Sequence, residues 1–183
     1  MKMVVELVDD HQKKGLLTRM SDEYETPEGA WGMILKHIPD KRTRIYEPFY
    51  CTGRARVSIQ AHGFPNVIHE QRDFFSERPD LFEYDVIVTN PPYSKLAPIF
   101  KVLKEINKPF AMLVPLSCIA TQYFQKSVES FQLVIPKKRM DFIKDGTQLN
   151  RCNFETVWAR PAGDDILRGG SLGFGWHLCT SPP

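Results

Sequence analysis

Leu96, Ile99, Phe100, Leu103 and Ile106 recur every three or four residues through "SKLAPIFKVLKEIN" (94–107), which makes one apolar stripe on an amphipathic helix. A second helix is predicted over "TPEGAWGMILKHI" (26–38), with Thr26 as N-cap, Pro27 in the first position, and Trp31, Ile34, Leu35 and Ile38 on one face. "GRARVSIQAHG" (53–63) suits a helix closed by Gly63, and "TQYFQKSVESF" (121–131) a further one. Between these lie short apolar or alternating runs that read as strands: "RIYEPF" (44–49), "NVIHE" (66–70), "YDVIVT" (84–89), "PFAMLVPL" (109–116), "QLVIP" (132–136) and "FETVWAR" (154–160). Residues 1–23 fit a strand or a helix equally, and the segment from Pro161 onward, with "GGSLGFG", reads as an irregular tail (161–183) behind a catalytic domain (1–160).

Strands alternating with helices predict an α/β sheet with helices on both faces. Ligands of such sheets bind outside the carboxyl ends of the strands. Three strand-ending groups would gather at that edge: Glu47-Pro48-Phe49, Glu70, and Asn90-Pro91-Pro92-Tyr93. Two consecutive prolines cannot extend a central strand, because neither has an N–H for the ladder. They leave the Asn90 amide oxygen and the Pro91 carbonyl as acceptors without ladder partners, a pair suited to the two protons of an exocyclic amine. "EPFYCTG" (47–53) offers a carboxylate and a glycine turn into a helix, an arrangement that can receive an ammonium and a carboxylate, although an ordinary βα turn has the same form. Glu70 can accept from a ribose diol, Asp73 from an amino group, and Phe74 can wall a ring; Phe75 reads as core.

Bulk properties narrow the field. The chain has 183 residues, 42% of them apolar and 25% charged, with a net charge of +2. That charge allows a polyanionic partner, whereas a sequence-blind nucleic-acid binder would be more basic. Four scattered cysteines without a CxxC pair point to reduced thiols in an intracellular protein, and no apolar run approaches membrane-spanning length. The five histidines lack metal-ligand spacing, so no metal is expected.

"DEYETP", "EPFYCTG", "HEQRDFF", "NPPY" and "KPFAMLVP", in that order across roughly 21–160, resemble the motifs of the S-adenosylmethionine-dependent N6-adenine methyltransferases. The small phage-type and protist members that lack a target-recognition domain look most similar. The resemblance implies a Rossmann-like, mostly parallel, seven-stranded sheet with NPPY after its fourth strand, S-adenosylmethionine as cofactor, and DNA adenine as substrate. It assigns catalysis to Asn90, Pro91, Pro92 and Tyr93, with Tyr93 stacking on an extruded base. Tyr24, Thr26 and Pro27 would wall the methionine end of the cofactor, with Phe49 and Gly53 in the same motif loop. Glu47 would face its amino group, Glu70 its ribose, and Asp73 with Phe74 its adenine. Cys51 stands where the family has its first motif glycine, which is expected to weaken the cofactor contact, while Gly53 is kept. Lys95, Lys137, Lys138, Arg139, Lys144 and Arg151 are candidates for phosphate contacts, or for a merely solvated face. Adenine in RNA, a protein glutamine amide, and a catalytically silent subunit in a homo- or hetero-oligomer remain as alternatives. Single-stranded substrate is expected to be favoured over duplex, since it avoids the cost of flipping the base.

Overall fold

The computed structural model describes residues 24–77, 83–128, 131–144, 146–149, 155–161 and 177–178. The undecided segment 1–23, Arg151 and most of the tail lie outside them. Strands β1 (Ile45–Tyr46), β2 (Val67–Ile68), β3 (Val86–Thr89), β4 (Phe110–Pro115), β5 (Phe131–Ile135), β8 (Thr156–Pro161) and β9 (His177–Leu178) form one sheet in the order β2-β1-β3-β4-β8-β5-β9. β8 runs antiparallel to both its neighbours, and every other pairing is parallel. The sheet has six strands without the two-residue β9 and seven with it. β6 (Ile143–Lys144) and β7 (Thr147–Gln148) make a separate hairpin turned at Gly146, whose φ is 73°.

Helices α1 (Glu28–Leu35), α2 (Arg54–Ala61), α3 (Leu96–Ile106) and α4 (Gln122–Ser127) cover the two faces. The pleat shows why. Val86, Val88, Ala111 and Leu113 bury with Trp31 and Ile34 of α1 and Ile59 of α2. Their alternates, Ile87, Met112 and Val114, bury with Ile99, Phe100 and Leu103 of α3 and Phe124 of α4. Successive side chains of a strand point to opposite faces, so near-continuous apolar runs are what a sheet covered on both sides requires. This is an open, doubly wound α/β sheet of Rossmann-like type. Trp158 of β8 lies fully buried, packs at a tilt on Trp31 with ring centroids 5.6 Å apart, and donates its indole N–H to the Ala30 carbonyl at 2.9 Å, which ties the sheet to the start of α1.

Several boundaries differ from the sequence reading. Pro27, not Thr26, occupies the N-cap of α1, in extended conformation and with no side-chain cap. A proline needs no partner for its missing N–H, so the helix begins one residue later than a threonine cap would set it. The helix predicted to reach residue 131 ends at Ser127, and Phe131 opens β5. Thr121 caps that helix by accepting from the Phe124 N–H at 3.4 Å. Asn90 follows the third strand in chain order among the described residues. The supposedly irregular tail supplies β9, which pairs with β5.

Candidate active site

β1 and β3 lie side by side with Tyr46 in register with Ile87, which brings Glu47 and Thr89-Asn90 into one place at the carboxyl edge of the sheet. Glu47 is 1% exposed. Its Oε1 accepts from the Phe49 N–H and from the Thr89 hydroxyl, both at 2.8 Å. Burial nevertheless dominates and raises its pKa from the ordinary value of 4.5 to about 8, so the carboxyl is neutral at pH 7. Asn90 donates from Nδ2 to the Tyr24 carbonyl at 3.5 Å, which directs its oxygen the other way. That Oδ1 is buried and has no hydrogen-bond partner among the described residues. A buried acceptor left unpartnered costs about 1–3 kcal/mol, a cost that a donor brought by a ligand would remove.

The loop from Glu47 to Gly53 is a tight turn closed by the Gly53 N–H on the Tyr50 carbonyl at 2.7 Å. Two of its residues take positive φ, Cys51 at 44° and Gly53 at 79°. The backbone therefore keeps a glycine-like shape at Cys51 even though the residue has a side chain. Left-handed backbone costs an ordinary residue about 1–2 kcal/mol. Cys51→Gly is thus expected to stabilise the protein by about 1 kcal/mol after the extra chain entropy of glycine is offset. Gly53→Ala should act in the opposite sense, because the new Cβ would also lie 2.8 Å from the Tyr50 hydroxyl. Urea midpoints of the two variants check this pair; equal signs would contradict it.

Two clefts meet over this loop. The first, about 340 Å³ out to open solvent, is bounded by Tyr24, Thr26, Glu47, Thr52, Arg54 and Asn90. The second, about 650 Å³, lies against Tyr50, Arg72, Asn90, Pro91 and Pro92. Tyr24, Phe49, Tyr50, Cys51 and Asn90 border both. The Asn90 residue thus stands at their junction. The hairpin braces this wall: Glu25 and Ile143 exchange backbone hydrogen bonds at 2.8 and 3.1 Å, and Tyr24 packs on Phe142 with ring centroids 6.2 Å apart.

Other expected site residues lie elsewhere. Pro27 caps α1 beside the first cleft, and Gly53 shapes the loop without lining either cleft. Glu70 is exposed, borders neither cleft, and accepts from Arg72 Nε at 2.7 Å. Asp73 folds its own turn, with Oδ1 accepting from the Phe75 and Ser76 N–H groups at 2.8 and 2.9 Å, and those bonds hold its carboxyl below the usual range. The two phenylalanines exchange their expected places: Phe74 is 4% exposed and packs on Phe49, while Phe75 is 39% exposed with Lys95 Nζ 5.8 Å from its ring. With no helix or strand over 72–77 to set a period, the turn at Asp73 decides which ring faces inward. Tyr93 is half-buried, packs against the core on the α3 side, and does not border either cleft. Its expected stacking role is not evident from this placement.

Among the cations, Lys144 is half-buried with Nζ 5.8 Å from the Tyr24 ring, so it sits beside the site. Lys137 and Lys138 are exposed, and Arg139 pairs with Glu155 at 3.1 Å. Sequence reasoning passed over Tyr50, Arg54, Arg72 and the hairpin. The aromatic inside "EPFYCTG" and the Asp-Gly pair at 145–146 were the available signals, the latter a strong hairpin cue. Arg54 opens α2, pairs with Glu25 at 3.2 Å and stays largely exposed at the first cleft. No group of His, Cys, Asp or Glu among the described residues is arranged to hold a metal. No helix among them is long and apolar enough to cross a membrane.

No protein-family model and no curated protein matches the chain. Solved structures do match it. TrmN from Thermus thermophilus aligns over 72% of this chain at 15% identity with a TM-score of 0.38. This chain spans about half of that protein, 47% of its length. The 23S rRNA methyltransferase ErmE aligns over 80% of this chain and 72% of its own, at 12% identity and a TM-score of 0.47. At such scores the likeness is distant, and the chemistry of the clefts is read from their own residues.

Proposed function

We propose that the chain is an S-adenosylmethionine-dependent methyltransferase of the N6-adenine type, acting on the exocyclic amine of adenine in DNA. The observation that carries this reading is the buried, unpartnered Oδ1 of Asn90 at the junction of two clefts. One cleft suits a cofactor and the other a base.

The residues of the first cleft fit the cofactor. Glu47 is a buried acid held neutral only for want of a cation, and an ammonium group answers that need. Arg54 and the uncapped N–H groups at the start of α2 suit a carboxylate. Tyr24 and Thr26 form the opposite wall. When bound, S-adenosylmethionine supplies a methyl group on a positively charged sulfur, which leaves the protein to bind and orient.

The N6 lone pair of adenine is delocalised into its ring, so the amine is a poor nucleophile. Asn90 Oδ1 and the Pro91 carbonyl accept its two protons, favour a pyramidal nitrogen and stabilise the positive charge that grows on it. A strong base is not required, since the proton can leave to water once the amine is alkylated. Lys144, Lys137 and Lys138 supply phosphate contacts that position the strand without reading it.

Isothermal calorimetry with S-adenosylmethionine, followed by transfer assays on DNA and RNA strands of one sequence, tests the proposal. Cofactor binding with faster transfer to DNA is expected. Faster transfer to RNA would change the polymer but keep the chemistry, and absence of cofactor binding would overturn both.

A further inference from the structure

Three aromatic residues border the second cleft, and two of them pack on the core. Tyr24 is half-buried on Phe142, and Phe49 is half-buried on Phe74, with ring centroids 5.2 Å apart. Tyr50 differs, being 38% exposed. One of its faces rests on the His69 ring, stacked at 5.0 Å and 26°. His69 is itself 3% exposed and fixed from below, since its Nδ1 donates to the Glu47 carbonyl at 2.9 Å. Burial outweighs that bond and lowers the His69 pKa, and the bond holds the imidazole in place against the phenol. One face of Tyr50 is thus backed by a buried ring while the residue as a whole stays exposed at the cleft.

The loop makes room for this posture. Tyr50 Oη lies so close to Gly53 that any Cβ there would stand 2.8 Å from it. Arg72, whose guanidinium binds Glu70 and Glu77, borders the same cleft. A flat, backed aromatic surface beside an unpartnered acceptor is what a planar base with an amine on its edge would need. Resting on the function proposed above, we infer that Tyr50, backed by His69, is the stacking surface for the adenine presented to Asn90, the part that the motif resemblance gives to Tyr93.

Stacking of a base on an aromatic side chain is worth about 1–3 kcal/mol by alanine substitution, or roughly 5- to 150-fold in affinity. The test uses fluorescein-labelled oligothymidine strands carrying one central adenine or one abasic site, read by fluorescence anisotropy. Wild-type protein should prefer the adenine strand by a factor in that range. Tyr50→Ala should abolish the preference, and Tyr50→Phe and Tyr50→Trp should retain it. A preference that survives in Tyr50→Ala, or is missing from the wild type, overturns the inference. Methyl transfer measured on the same strands separates the two levels. Transfer that ignores Tyr50 removes the stacking surface and leaves the proposed function standing. A Tyr50-dependent preference without transfer does the reverse.

Discussion

Asn90→Ala is expected to slow methyl transfer by ~10²–10³-fold, the loss seen when one hydrogen-bonding stabiliser of transition-state charge is removed, about 2.7–4 kcal/mol. Cofactor affinity should change less, because the Oδ1 that is lost is unpartnered among the described residues and the Nδ2 bond lost with it, to the Tyr24 carbonyl, is long at 3.5 Å. Asn90→Asp is the informative companion. It keeps an acceptor but loses the Nδ2 donor to the Tyr24 carbonyl, so the side chain is free to rotate and activity should fall between the other two. Single-turnover rates at saturating cofactor, with calorimetry for binding, read both effects. Wild-type turnover in the alanine variant would remove Asn90 from the mechanism.

Glu47→Gln should produce two opposite changes. Binding of S-adenosylmethionine should weaken sharply, since an amide cannot become the anion that an ammonium needs. In wild type that anion must form on binding, so affinity should rise with pH up to about 8, with proton release below it. The empty protein should meanwhile become more stable. Glu47 binds a proton in the folded state with pKa about 8, whereas an unfolded glutamate releases it near 4.5. Between those values the native state holds more protons, so stability must fall as pH rises through the window and level off above it. At about 1.4 kcal/mol per pH unit, the total is a few kcal/mol. Urea unfolding of wild type and of the glutamine variant from pH 5 to 9 should differ by this decline, which the variant lacks, on top of the rise that His69 gives both below about pH 6.5. A wild-type profile that declines no more than the variant's would mean that Glu47 is ionised in the folded protein.

Legibility in the sequence followed the physics of each region. The apolar stripe of α3 and the run of β4 were clear, because burial along a helix face or through a covered sheet leaves a periodic mark. Asn90 and Glu47 were legible for a different reason: a proline pair stops a strand, and what stops at a carboxyl edge faces the ligand side. Phe74 and Phe75 were not, since two adjacent aromatics in a turn carry no period. Glu70 read as a free acceptor, and no local pattern announced that Arg72, two residues on, would engage it. The posture of Tyr50 was not legible for a third reason. Its posture depends on His69, nineteen positions away in the chain and brought beside it only by the pairing of β1 with β2.

The measurement that bears most directly on the central claim is the identity of the methylated atom. Protein supplied with S-adenosylmethionine carrying a labelled methyl, and with pooled DNA, RNA and protein, would be followed by digestion and chromatography of nucleosides and amino acids. The predicted result is label in N6-methyldeoxyadenosine, lost in Asn90→Ala. Label on a glutamine amide, on another base or on a ring nitrogen of adenine would contradict the account, because none of these presents adenine's exocyclic amine to Asn90 and Pro91.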